Sequence, residues 1–139
     1  MKAIQILKAL FAVVCLTNTA SASFLNGTWV LVSSTCPEKA ETSFTFLENG
    51  KATFTADSAN KKCVFNGRAK YILSQDYNAG IDYISFTDRA ASGCGFRTIP
   101  LPDETTEFEL HNQSLKISKE NGEDCLGEKT ISIYRKNPK

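Results

Sequence analysis

Few residues in this sequence could do chemistry: four widely spaced cysteines after residue 22, one histidine and a short acidic stretch. These four cysteines are Cys36, Cys63, Cys94 and Cys125, and the fifth, Cys15, lies in the apolar run near the N-terminus. A zinc site needs clustered ligands, often in Cys-x-x-Cys pairs, and these cysteines are not clustered. Their number and spacing favour two disulfides, and oxidised cysteines cannot act as nucleophiles.

The other polar residues do not form a recognisable catalytic set. His111 flanks a predicted hairpin turn, and Asp103, Glu104 and Glu107 fit a solvated acidic loop. Catalysis normally needs a nucleophile with a base, paired carboxylates or a metal, and the chain also lacks a glycine-rich phosphate loop. We therefore expect a protein that is not an enzyme and that uses no metal or cofactor.

Residues 1–22 have the pattern of a secretory signal peptide. Lys2 and Lys8 supply positive charge, residues 9–16 are apolar, and Ala20-Ser21-Ala22 matches a cleavage site. The apolar run is shorter than the roughly 20 residues that a membrane-spanning helix needs. The sequence predicts a secreted protein, periplasmic or extracellular, without a membrane span.

Residues 23–139 fit a single domain. The chain has a formal net charge of +1 and no run of lysine or arginine, so nucleic acid is not an expected partner. Asn26 and Asn112 match the glycosylation pattern, which would matter in a eukaryotic source. We expect a monomer.

Alternating apolar and polar residues between frequent turn signals predict an all-β fold. The eight predicted strands lie near residues 28–33, 43–47, 51–56, 63–74, 81–87, 106–111, 114–118 and 129–135. Eight antiparallel strands with short links could form an up-and-down barrel or a sandwich.

The register of the hairpin over 43–56 follows from its pattern. A three-residue loop over 48–50 pairs Phe44 with Phe54 and separates an apolar face from a polar face. This loop places Gly50 in the left-handed conformation.

A second hairpin, over 106–118, turns at Asn112 and Gln113. This turn pairs Leu110 with Leu115 on an apolar face. It sets Glu109 opposite Lys116 on the polar face, a pair that contributes about 0.2–1 kcal/mol.

The last strand favours the barrel over the sandwich. Arg135 has the same parity as Ile131 and Ile133, so we expect it to point inward with them. Beside the first strand, Arg135 would lie across the Trp29 indole in a cation–π contact of about 0.5–2 kcal/mol. Gly27 would leave room for this close approach.

A Gly-x-Trp on the first strand with an Arg near the end of the last resembles the lipocalin (calycin) superfamily. The matching residues are Gly27, Trp29 and Arg135. The resemblance implies an eight-stranded up-and-down barrel in which these residues stabilise the closed floor. The Thr-Asp-Tyr motif of that superfamily is replaced here by residues 111–113.

In such a barrel all four cysteines lie at the mouth, opposite the Trp29 floor. Strand adjacency favours Cys36–Cys125 and Cys63–Cys94 as the disulfides. Pairing of Cys36 with Cys63 and of Cys94 with Cys125 is the alternative.

The predicted connection over 88–105 is too long for a simple turn, and loops of this length are often functional. Its notable residues are Phe96, Arg97, Ile99 and Leu101. They could plug the barrel end, form a lid over a cavity or dock a protein, and Arg97 could engage a protease.

Two functions fit this pattern. The first is a secreted binding protein that holds a small apolar ligand inside the barrel. The residues expected to line that site are Phe44, Phe54, Phe65, Tyr71, Phe86 and Phe108. The second is a protein-binding module, such as a protease or lysozyme inhibitor, that acts through disulfide-stapled mouth loops around a filled barrel. The two differ in whether the interior has room.

Overall fold

The computed structural model describes residues 24–58, 60, 62–120 and 129–138. The predicted signal peptide, residues 1–22, and Cys125 lie outside these residues. The described strands are β1 (Gly27–Ser34), β2 (Ser43–Phe46), β3 (Lys51–Asp57), β4 (Val64–Asp76), β5 (Ile81–Gly93), β6 (Phe96–Pro100), β7 (Glu104–His111), β8 (Ser114–Glu120) and β9 (Lys129–Lys136). A 3-10 turn, Pro37–Lys39, follows β1.

Eight of these strands form a closed antiparallel barrel. Strands β1, β2, β3 and β4 pair in sequence order, β4 pairs with β5, and β5 pairs with β7. The ring continues through β8 and β9, and β9 closes it by pairing with β1. The all-β, eight-stranded up-and-down barrel predicted from the sequence is therefore confirmed.

Strand β6 corrects the predicted long loop over 88–105. Strand β5 continues to Gly93, and the chain turns at Cys94 and Gly95, which have φ angles of 54° and 82°. It then returns as β6, which pairs with β5 alone among the described residues. We call β5 from Asp88 onward, the turn and β6 the mouth hairpin, because it lies at the end of the barrel opposite Trp29.

Both predicted hairpin registers are confirmed. Phe44 pairs with Phe54, and Gly50 adopts a φ of 76°. In the second hairpin Glu109 pairs with Lys116, and the lysine Nζ lies 3.3 Å from the glutamate Oε2. These turns could be predicted because their residues are close in sequence.

The barrel floor is built around Trp29, which is 0% exposed. Its indole Nε1 donates a 2.7 Å hydrogen bond to the backbone oxygen of Leu25, which precedes β1. Leu25 itself is buried, so the segment before the first strand helps to close this end.

The cation at the floor is Lys136, and the prediction that Arg135 points inward is wrong. Lys136 pairs with Trp29 in the sheet, and its Nζ lies 5.7 Å from the centroid of the indole ring. Arg135 is exposed. Strand β9 turns Thr130, Ser132 and Tyr134 into the barrel instead of its isoleucines.

Gly27 provides the space for Lys136. The sequence predicted this role for Gly27, although toward Arg135. A Cβ at Gly27 would lie 3.0 Å from the Lys136 Cε, and its φ of 118° also disfavours other residues.

Gly67, in the middle of β4, leaves room for the ring of Phe54. A Cβ at Gly67 would lie 2.0 Å from the Phe54 Cζ. We expect Gly67→Ala to lower the free energy of unfolding by about 1–3 kcal/mol, because the buried ring must leave its position. Chemical denaturation measures this change. Gly80→Ala cannot serve as the matched control, because Gly80 has a φ of 68° and alanine would be strained in that conformation. The comparison is Gly67→Ala in a Phe54→Leu background, where a smaller side chain should remove most of the cost.

A β-bulge divides β5 into two parts. Arg68 pairs with Ala90 and Lys70 with Thr87, so two residues of β5, Asp88 and Arg89, stand opposite Ala69. Asp88 adopts a φ of 49°. The bulge reverses the alternation of β5, in which Ile84 and Phe86 point inward. Asp88 therefore points outward to Lys70, with 3.1 Å between Nζ and Oδ2, and Arg89 points into the barrel mouth.

Candidate functional site

The barrel interior, the first candidate site, is occupied by aromatic side chains in mutual contact. Phe44 stacks on Phe86 with 5.6 Å between ring centroids, and the edge of Tyr134 meets Phe44 at 5.3 Å. Phe46 meets Tyr71 at 5.0 Å. These rings are almost completely buried.

The six residues predicted to line a ligand site fall into two groups. Phe44, Phe54, Tyr71 and Phe86 are buried members of the hydrophobic core. Phe65 is half-buried, and Phe108 packs at the margin of the core. The structure therefore brings most of these side chains together in the interior, where the buried rings pack against one another.

One predicted disulfide is present at the mouth. Cys63 and Cys94 are bonded, and they join the start of β4 to the turn of the mouth hairpin. Cys36 is also disulfide-bonded and buried. Cys125, its favoured partner in the sequence, lies outside the described residues.

A cluster of four charged side chains lies below the mouth hairpin. We call Glu41, Arg89, Glu104 and Lys119 the mouth cluster. The Lys119 Nζ is 2.8 Å from the Glu41 Oε1 and 3.5 Å from the Glu104 Oε1. The Arg89 Nη2 is 3.7 Å from Glu41 and 3.6 Å from Glu104.

The mouth cluster is charge-balanced and mostly shielded from solvent. The side chains of Glu41, Arg89 and Lys119 are 9%, 11% and 16% exposed, and that of Glu104 is 30% exposed. The Arg89 guanidinium also lies 5.5 Å from the centroid of the Phe54 ring, at the top of the aromatic core. Two cations and two carboxylates thus cover the upper end of the core.

Tyr134 links this cluster to the core. Its hydroxyl donates a 2.8 Å hydrogen bond to the backbone oxygen of Glu41. Burial, followed by the negative charges of Glu41 and Glu104, raises the pKa of Tyr134 far above its usual value. The phenol is therefore held in its neutral form.

The raised pKa predicts a loss of stability at high pH. The unfolded chain releases the Tyr134 proton above about pH 10 and the folded chain keeps it, so stability is complete below that pH and falls above it. We expect wild type to lose up to about 1.4 kcal/mol more per pH unit than Tyr134→Phe above pH 10. Denaturant unfolding from pH 8 to 11.5 measures both slopes. Parallel curves would contradict the assignment.

The mouth hairpin presents apolar side chains to solvent. Phe96 is 65% exposed and Ile99 is 48% exposed, and Arg97 is also exposed. Leu101 packs against the margin of the core. Of the four residues predicted to matter here, three lie on the surface of the hairpin and the fourth anchors its base.

An outward-facing groove adjoins the mouth hairpin. Its volume is about 610 Å³, and its charged lining includes Lys51, Arg68, Lys70 and Asp88. A smaller groove of about 160 Å³ shares Arg68 and extends between β4, β5 and β6 to Thr98.

The mouth cluster was not predicted from the sequence, and Glu104, expected in a solvated loop, lies in β7 beside Arg89 and Lys119. Lys119 has the parity of the inward Leu115 and Ile117, and Glu104 has that of Phe108, so strand parity could have identified both. Arg89 could not be found in this way, because the bulge before it reverses parity. His111, by contrast, is exposed at the opposite end of the barrel, with its Nε2 3.4 Å from the Glu109 Oε1.

The fold defines a closed eight-stranded antiparallel barrel with a lipocalin-like topology. No family model, curated protein or solved structure matches the chain. Among the described residues, no helix is long and apolar enough to cross a membrane.

Proposed function

We propose that this chain is an exported, lipocalin-like binding protein that docks a partner protein through its mouth hairpin. The observation that carries this proposal is the contrast between the two candidate sites. The aromatic side chains of the interior are buried against one another, whereas Phe96 and Ile99 are exposed on a hairpin that a disulfide holds to β4.

The hairpin offers two kinds of contact to a partner. Among the described residues, β6 pairs only through its β5 side, so its other edge can accept an extended strand. Pro100 has no N–H, which confines such pairing to residues 96–99. Phe96 and Ile99 provide apolar anchors, and the Cys63–Cys94 bond limits the ordering that binding would require.

Export and lipocalin kinship are part of the same proposal. Disulfides persist in oxidising compartments, in keeping with the signal-peptide pattern of residues 1–22. The Gly27–Trp29 floor under a cation from the last strand is lipocalin-like, although Lys136 supplies the cation. Inhibition of a protease or a lysozyme is the activity that best suits a rigid, exposed hairpin.

Inhibition assays test this proposal directly. Purified residues 23–139 are titrated against lysozymes and serine proteases, beside the variant Phe96→Ser/Ile99→Ser. A matched control is Ile72→Ser, which removes an apolar side chain that is 62% exposed on β4. We expect inhibition that the hairpin variant loses by at least about tenfold and that the control retains. Inhibition that is unchanged in the hairpin variant would contradict the proposed surface.

Native mass spectrometry tests the interior. We expect the secreted protein to have the mass of the chain alone in native and denaturing conditions. A small molecule that is present in native spectra and lost on denaturation would instead place the function inside the barrel.

A further inference from the structure

The outward groove beside the mouth hairpin has an excess of positive charge. Its lining places Lys51, Arg68 and Lys70 around a single carboxylate, Asp88, which is paired with Lys70. Arg89 also borders the groove, but its guanidinium is engaged with the mouth cluster. Among the described residues, neither Arg68 nor Lys51 has an ion pair.

The positions of these cations are unfavourable for the barrel alone. Lys51 and Lys70 are direct cross-strand partners, and like charges directly opposite each other destabilise a sheet. Arg68 lies two residues from Lys70 on the same face of β4. An anionic ligand would relieve this repulsion.

The shape of the groove suits an extended chain. Together the two grooves follow β4 from Lys70 to Asn66, a distance of about 13 Å at the usual rise of a strand. Arg68 and Lys70 are separated by the same two-residue repeat that spaces side chains on one face of an extended peptide. Asn66, Ser92 and Thr98 add uncharged polar groups along the smaller groove.

We propose that this groove binds an extended acidic peptide segment with carboxylates at alternate residues. One carboxylate meets Arg68, and the next meets Lys70 and Lys51. The inference rests on the proposed function in that it gives the partner's segment beside the hairpin an acidic character. The bulge at Asp88 and Arg89 shapes the groove, since it turns the one acidic side chain outward and the adjacent cation inward.

Fluorescence anisotropy with defined peptides tests the groove without the hairpin. The probe is a fluorescein-labelled peptide of alternating glutamate and serine, eight residues long, in low salt. The comparison peptides have the same composition with the glutamates in one block, or glutamine in place of glutamate. We expect the alternating peptide to bind most tightly.

Charge-removing variants locate the binding. We expect Arg68→Gln to weaken binding about five- to tenfold and Arg68→Gln/Lys51→Gln to weaken it further, because each loses a charge-assisted hydrogen bond. Arg135→Gln, which removes an exposed cation from the opposite side of the barrel, should change binding less than about twofold. Circular dichroism establishes that each variant is folded.

Three results in the peptide assay would overturn the proposal. They are the absence of binding, equal binding of the alternating and block peptides, and equal weakening by Arg68→Gln and Arg135→Gln. Stronger binding of a sulfated oligosaccharide than of the peptide would also overturn it, in favour of a polysaccharide ligand. Peptide binding that survives Phe96→Ser/Ile99→Ser, in a protein that inhibits no hydrolase, would leave the groove standing and remove support only from the hairpin surface.

Discussion

Glu41→Gln should lower the free energy of unfolding by about 3–5 kcal/mol, since it removes one charge from a shielded ion-pair cluster. The side chain keeps its size, so the loss comes from the two cations. Lys119 and Arg89 both contact the Glu41 carboxylate, and only the more exposed Glu104 would remain to balance them. Urea unfolding of the wild type and the variant at neutral pH measures the change.

The neighbouring carboxylate provides the control. Glu104→Gln removes the same charge from the same cluster at a position that is 30% exposed, so its cost should be clearly smaller. Adding Lys119→Met to Glu41→Gln should recover part of the loss, because it removes a cation that has lost its partner. Equal losses of unfolding free energy in the two glutamate variants would show that Glu41 does not stabilise the cluster more than Glu104 does.

Cys63→Ser/Cys94→Ser should lower the free energy of unfolding by roughly 3–4 kcal/mol, the loop-closure effect for this separation in sequence. The two cysteines are separated by 31 residues. The bond also holds the turn of the mouth hairpin to β4. We therefore expect amide hydrogen exchange to become faster in β6 and the end of β5 before it does so in β7 or β8.

The same double variant connects stability to the proposed function. If docking depends on a hairpin held in one conformation, inhibition should weaken while the barrel remains folded. Inhibition measured at denaturant concentrations below the unfolding transition separates the two effects, because a folded barrel keeps its near-ultraviolet circular dichroism signal from Trp29. Unchanged exchange in β6 would mean that strand pairing alone holds the hairpin.

Local features of this protein could be predicted from the sequence because neighbouring residues determine them. Alternation of residue type indicated the strands, and the Phe44–Phe54 pairing and the left-handed Gly50 followed from one short loop. The Cys63–Cys94 bond followed from the order of strands around an up-and-down barrel. The floor at Trp29 was also predicted, with an inward cation from the last strand.

Only the tertiary structure decided which face of β9 is turned inward. In β9, hydrophobicity favours Ile131 and Ile133 as core residues, yet Tyr134 is buried because its ring packs on Phe44 and its hydroxyl reaches Glu41. These partners come from β2 and the segment before it, far away in sequence. The choice therefore depends on contacts that no local pattern contains, and it places Lys136 rather than Arg135 over Trp29.

The candidate sites depend on the same kind of long-range choice. The bulge at Asp88 and Arg89 reverses the parity of β5, so one arginine joins the mouth cluster while its neighbour faces the outer groove. A bulge is selected by the strands on both sides, because the extra residue must be accommodated between fixed registers. The sequence by itself thus predicted the barrel and favoured the Cys63–Cys94 disulfide over its alternative. How the aromatic residues pack inside the barrel was decided by contacts between side chains from separate strands.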